Sequence, residues 1–189
     1  MDHSIVREAF ANIPDKEALG WAVLDSKSET AVTLAIATTA NRQAGRRVAH
    51  VEYRRVDLVL VKEGIPTALY EAKAAYVTDF QPARLARGDW YLGACVDEDI
   101  QKKPNLGAGM PTVHDRAVLF YLYEVSDTGK QLKYGKNAPV LVADAIMGLK
   151  SQITMGTLAS QDSIDCGNVD GADVRIHLLI FEPPKDGAV

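Results

Sequence analysis

Two segments decide how this chain is read. The first is Arg55-Val-Asp57-Leu-Val-Leu-Val61, and the second is Thr67-Ala-Leu-Tyr-Glu71-Ala-Lys73-Ala-Ala-Tyr76. The first is a nearly continuous apolar run interrupted by Asp57, the second reads as a further extended segment, and Gly64-Ile-Pro66 between them marks a β-hairpin turn. Asp57 and Glu71 stand seven residues to either side of Gly64. An antiparallel hairpin turning at Gly64 therefore sets them opposite one another, with Cβ atoms about 4.5–5.5 Å apart. Lys73 lies two residues beyond Glu71 and shares its face, while Ala72 points the other way. A slip of one residue would turn Asp57 to the opposite side, so the turn carries the reading.

Two carboxylates and an ammonium among Val, Leu and Ala are costly unless they are used. Carboxylates this close repel, and one tends to keep its proton near neutral pH. A divalent cation removes the conflict, since Mg²⁺ prefers one or two carboxylates together with water and phosphate oxygens. A neighbouring lysine can then orient or deprotonate a water, or offset charge on a pentacovalent phosphate. The pattern points to metal-assisted phosphodiester hydrolysis.

Arg55-Val-Asp57-Leu-Val-Leu, with thirteen residues between Asp57 and Glu71-Ala-Lys73, resembles the core of the PD-(D/E)xK nucleases, the restriction-endonuclease-like superfamily. The resemblance covers Val51–Tyr76 directly, and an αβββαβ order extends it to about Val125. It implies that Asp57 and Glu71 bind metal, that the Ala72 carbonyl is a further ligand, and that Lys73 is the catalytic lysine. The implied cofactor is Mg²⁺, with Mn²⁺ as a substitute, and the implied substrate is nucleic acid, DNA ahead of RNA. Many members add an acid on the preceding helix. Glu29 fills that place if Ser28–Ala44 is helical, and Glu17 otherwise. Val56 stands where the family name has proline. A second acid-x-lysine triplet, Asp25-Ser26-Lys27, sits in a polar stretch and follows no strand acid.

Outward from the hairpin, an α/β chain is expected, with a central mixed sheet flanked by helices. Helices are read from Asp2 to Pro14 and from Asp15 to Leu24. Six β-branched residues in Ser28–Ala44 favour a strand there, but Ser26-x-x-Glu29 has the form of a capping box and Gly45 that of a stop, so a helix is expected. A helix opened by Pro82 and running to about Ile100, then a strand at Ala117–Val125, complete the core. An extra C-terminal helix near Ala143–Met155 and a strand at Val174–Phe181 follow.

A length of 189 residues suits one domain, 1–189, with the motif core at 51–125. No apolar run approaches the length of a membrane span, and the N-terminus lacks the order of a secretory signal, so a cytoplasmic protein without a membrane partner is expected. Cys95 and Cys166 form no metal-binding spacing. The formal net charge of −4 argues against holding nucleic acid by bulk charge alone. The segment Arg42–Lys62 is locally basic, however, and Arg46, Arg47, Arg54 and Arg55 are candidates for nucleic-acid backbone contacts. A metal-dependent DNA endonuclease is the leading reading, and cutting a duplex is compatible with a homodimer. The alternative is a catalytically silent nuclease-fold binding or assembly protein, which the acidic C-terminal third favours.

Overall fold

Alternation along Ile65–Tyr76 sorts the sheet into two faces. Tyr70, Ala72, Ala74 and Tyr76 join one apolar core with Leu58, Leu60, Leu119 and Tyr121. Ala75 joins the other with Val118, Phe120, Leu122 and Leu179. The structure, a computed structural model, describes residues 1–25, 29–80, 92–102, 112–127 and 141–184. Within them the order is α1 (Ser4–Ala11), α2 (Lys16–Asp25), α3 (Glu29–Ala44), β1 (Ala49–Tyr53), β2 (Val56–Lys62) and β3 (Ile65–Tyr76), then a 3-10 turn (Val77–Phe80). After it come α4 (Leu92–Gln101), β4 (Arg116–Asp127), α5 (Val142–Gln152), β5 (Thr157–Val169) and β6 (Ala172–Glu182). The strands make one mixed sheet in the order β1-β2-β3-β4-β6-β5. Only the β3–β4 pair is parallel among the described strands. Helices cover both faces, which makes the architecture α/β. No described helix is long and apolar enough to cross a membrane.

Three tyrosines of the first face tie the N-terminal helices to the sheet. The Tyr76 hydroxyl donates to the Val23 carbonyl of α2 at 2.6 Å. Tyr121 pairs with Thr33 of α3 at 2.9 Å, and Tyr70 reaches His3 Nδ1 at the start of α1 at 3.2 Å. Each buried hydroxyl so gains the partner it needs. Segment 29–44 is a helix despite its β-branched residues, because Val32, Thr33, Ile36 and Thr39 are buried along it and that packing outweighs weak propensity. Ser26 of the capping box lies outside the described residues. Gly45, at φ +62°, ends the helix as expected.

The turn between β2 and β3 is tighter than a simple turn about Gly64. Lys62 pairs with Ile65, leaving Glu63 and Gly64 as a two-residue loop with φ of 54° and 79°, the geometry of a type I′ hairpin. Carried on unchanged, that register would set Asp57 across from Tyr70. An extra residue in β3 prevents this, since Val61 pairs with Pro66 but Leu60 pairs with Ala68. Thr67 is the residue bulged out, and its hydroxyl donates to the Leu60 carbonyl at 3.3 Å. Pro66, with no N–H to give the ladder, is suited to such a place. Leu58 then faces Tyr70, the last pair of the ladder, and the same register continued by one residue brings Asp57 to Glu71.

Two strands lack an apolar run of their own, and of these only β1 is implied by the αβββαβ order. β1 is short and carries His50 and Glu52. β5 buries Ile164 and Cys166 but alternates them with exposed Ser163 and Asp165, and a segment rich in Ser, Asp and Gly reads as loop. Of the helix expected from Pro82, residues 81–91 lie outside the described residues, and α4 is its C-terminal part.

Helix α4 meets α5 through Gly93. A Cβ there would stand 2.4 Å from Gln152 Cβ and 2.8 Å from the Gln152 carbonyl oxygen. Gly93→Ala is therefore expected to cost about 1–3 kcal/mol through overpacking, seen as a lower melting temperature. An unchanged melting temperature would contradict this packing.

Candidate active site

The site lies where β2 and β3 part. Their ladder runs to the Leu58–Tyr70 pair. Beyond it the Asp57 carboxylate takes over from the strand, its Oδ2 accepting the Ala72 N–H at 2.7 Å. On one side the Glu71 carboxyl is in hydrogen-bond contact with Asp57. On the other, Asp57 and Ala72 share a small cleft with Glu29, Thr33 and Glu52. The backbone here is strained. Glu52, Arg54 and Arg55 hold φ of 51°, 53° and 72°, a region that non-glycine residues enter at a cost and that clusters at functional sites.

Lys73 shares the face of Glu71, as expected, but its ammonium is already engaged. Nζ lies 2.7 Å from Asp99 Oδ2 and donates to the Ala72 carbonyl at 3.2 Å. Lys102 sits 3.4 Å from Glu71 Oε1 and 3.7 Å from Asp99 Oδ1. Sequence reasoning passed over Asp99 and Lys102. Their signal was faint, an acid and a lysine three apart at the end of the helix that follows the motif. Helix α4 presents them from a fixed mount. Asp97, buried, accepts from the Thr154 hydroxyl and from the backbone N–H groups of Thr154 and Met155. The Lys102 carbonyl accepts from the Arg116 guanidinium.

Burial first, then the negative charge and hydrogen bond of Asp57, push the Glu71 carboxyl up to about 7, against the pull of Lys102. Burial works against the Lys73 ammonium, yet the hydrogen bond and charge of Asp99, with Glu29 and Asp57 behind, hold its pKa above the ordinary lysine value. Glu71 thus keeps its proton to near neutrality, while Lys73 stays charged.

The fold separates the other candidates. Glu29 opens α3 and lines the cleft with Asp57. Glu17 is exposed on α2, which packs against β5, β6 and α3, so Glu29 is the helix acid beside the site. Arg54 and Arg55 form the β1–β2 turn two to three residues before Asp57, with the Arg54 guanidinium 5.8 Å from the centre of the Tyr53 ring. Arg46 and Arg47 precede β1 at its other end, about 20 Å away along the extended chain. Arg54 and Arg55 thus lead into the strand that carries Asp57, and Arg46 and Arg47 do not. Of the triplet at Asp25, Ser26 and Lys27 lie outside the described residues.

Among the described residues no three His, Cys, Asp or Glu side chains converge as a metal cage. Asp57 and Glu71 nevertheless suit a hard cation, with two carboxylates in contact and the Ala72 carbonyl adjacent. That sparse oxygen set matches Mg²⁺, which keeps several waters. Comparison with protein families, with characterised proteins and with solved structures gives no match to this chain.

Two outcomes follow from these contacts. Glu71 is raised in the folded state, so its stabilising proton is fully bound below about pH 4.5 and lost as pH rises through about 7. Glu71→Gln keeps the shape without the charge. In chelator, its melting temperature relative to wild type should climb from pH 5 to pH 8, and a flat difference would refute the shift. Asp57→Ala relieves repulsion but orphans the Ala72 N–H. At pH 5, where Glu71 holds its proton, the loss of that bond should dominate and cost about 1–3 kcal/mol. A variant as stable as wild type at pH 5 would show that the N–H finds another acceptor.

Proposed function

We propose that this chain is a divalent-metal-dependent nuclease with a restriction-endonuclease-like core, acting on DNA. The observation that carries the reading is the contact of the Asp57 and Glu71 carboxyls beside Lys73 at the fork of β2 and β3. The succession α3, β1, β2, β3, α4, β4 supports it. Asp57, Glu71 and the Ala72 carbonyl would hold the cation, with Glu29 as an outer acid. A bound Mg²⁺ or Mn²⁺ supplies Lewis-acid stabilisation of a phosphoryl oxygen and a lowered pKa for a water. Lys73 orients the attacking water or offsets negative charge on the phosphate, and Asp99 keeps it charged and aimed. Arg54 and Arg55, exposed on the adjoining turn, contact the phosphate backbone. Cutting both strands of a duplex would take two copies of the site.

The pairing of Lys73 with Asp99 and of Lys102 with Glu71 favours a second reading. In a silent binding protein the same charges would serve as closed structural ion pairs. Cleavage of plasmid, linear duplex, single-stranded DNA and RNA separates the two. Wild type should cut DNA with Mg²⁺ or Mn²⁺ and stop with chelator. Lys73→Ala should lose about 100-fold or more while keeping its metal-induced thermal shift. Equal cleavage by both proteins would mark a contaminant and remove the enzymatic reading. No cleavage and no metal-induced shift in wild type would favour the silent protein.

A further inference from the structure

We infer that Lys102 is a built-in counter-cation of the carboxylate pair, which a divalent cation must displace from Glu71 in order to bind. The inference rests on the reading of Asp57 and Glu71 as metal-binding acids and adds an intramolecular competitor to that site. Lys102 Nζ stands between two acids, 3.4 Å from Glu71 Oε1 and 3.7 Å from Asp99 Oδ1. Its side chain is 54% exposed. Leaving Glu71 therefore strands neither partner, because Lys102 keeps Asp99 and water while Glu71 gains the metal. Lys73 has no such freedom, being held by Asp99 Oδ2 at 2.7 Å and by the Ala72 carbonyl at 3.2 Å.

A doubly charged cation on Glu71 and an ammonium at contact distance from the same oxygen repel strongly. The two occupancies exclude one another. The exchange needs no motion of the helix, which is fixed by Gly93 against Gln152, by Asp97 on Thr154 and Met155, and by Arg116 on the Lys102 carbonyl. It needs only a rotamer change in a flexible four-carbon side chain. A ligand that competes with an internal contact loses affinity by the factor that contact is worth. For an ion pair half open to water that factor is about two- to fivefold. The consequence is a site whose resting charge is balanced from within and whose metal affinity is set partly by α4.

The test is calorimetric titration of Mn²⁺ into wild type, Lys102→Gln, Lys102→Arg and Lys16→Gln, without nucleic acid. Lys102→Gln should bind about two- to fivefold more tightly than wild type. Lys102→Arg, which keeps the charge, should stay near wild type. Lys16→Gln, which removes one positive charge from α2, should leave affinity unchanged. Equal or weaker binding by Lys102→Gln, with wild type binding normally, overturns the counter-cation and leaves the metal site standing. Tightening by Lys16→Gln as large as that by Lys102→Gln also overturns it, because the effect would then belong to net charge. An absence of Mn²⁺ binding by all four proteins removes both the metal site and the competitor.

Discussion

The register of β2 against β3 is the constraint on which the site depends. A type I′ turn at Glu63-Gly64 gives the hairpin its twist but would set Asp57 across from Tyr70. In a pleated sheet a change of one residue in register exchanges every facing partner. One extra residue at Thr67 makes that change. Pro66 withholds an N–H, the Thr67 hydroxyl takes a place against the Leu60 carbonyl, and the pairing resumes at Leu60 on Ala68 and runs to Leu58 on Tyr70, one step short of Asp57 and Glu71. Bulges that re-aim a side chain are common beside active sites, and here a single residue decides whether the acids meet.

Once they meet, the acids need compensation, and it arrives from two layers. From the tyrosine-tied side, α3 brings Glu29 to the cleft below Asp57, its place set by Thr33 against Tyr121. From the other side, α4 brings Asp99 and Lys102 over Glu71 and Lys73. Asp57 itself is partly satisfied by the Ala72 N–H that β2 leaves unpaired where the strands separate. The fork thus has two uses: it frees a backbone donor for one carboxylate, and it opens the sheet enough for the other to approach.

The fold was legible wherever burial follows a strict period. Ala117–Val125, β2, β3 and β6 announce themselves as apolar runs, and the helices by their spacing and stops. β1 and β5 did not. Half of β5 faces water, and its Ser and Asp residues have the composition of a loop, so only pairing with β6 makes it a strand. The placement of Asp57 opposite Glu71 was legible too, but by a route the molecule does not take. A turn centred on Gly64 gives the same facing pair as a shorter turn followed by a bulge.

Sequence alone determined the residue types gathered here, two acids and a lysine within short range of one turn, and the alternation that sends Ala72 away from Glu71 and Lys73. Local spacing suffices for that, because a strand has a period of two. Only the tertiary structure decided which distant groups share the site. Asp99 and Lys102 are separated from Glu71 by a helix whose docking depends on a glycine, a buried aspartate and an arginine from β4. That Glu29 rather than Glu17 lines the cleft with Asp57, and that Arg54 and Arg55 form the turn leading into β2, is likewise a matter of where helices and a hairpin pack. Contacts between elements far apart in the chain leave no period in the sequence, so they are set by packing alone.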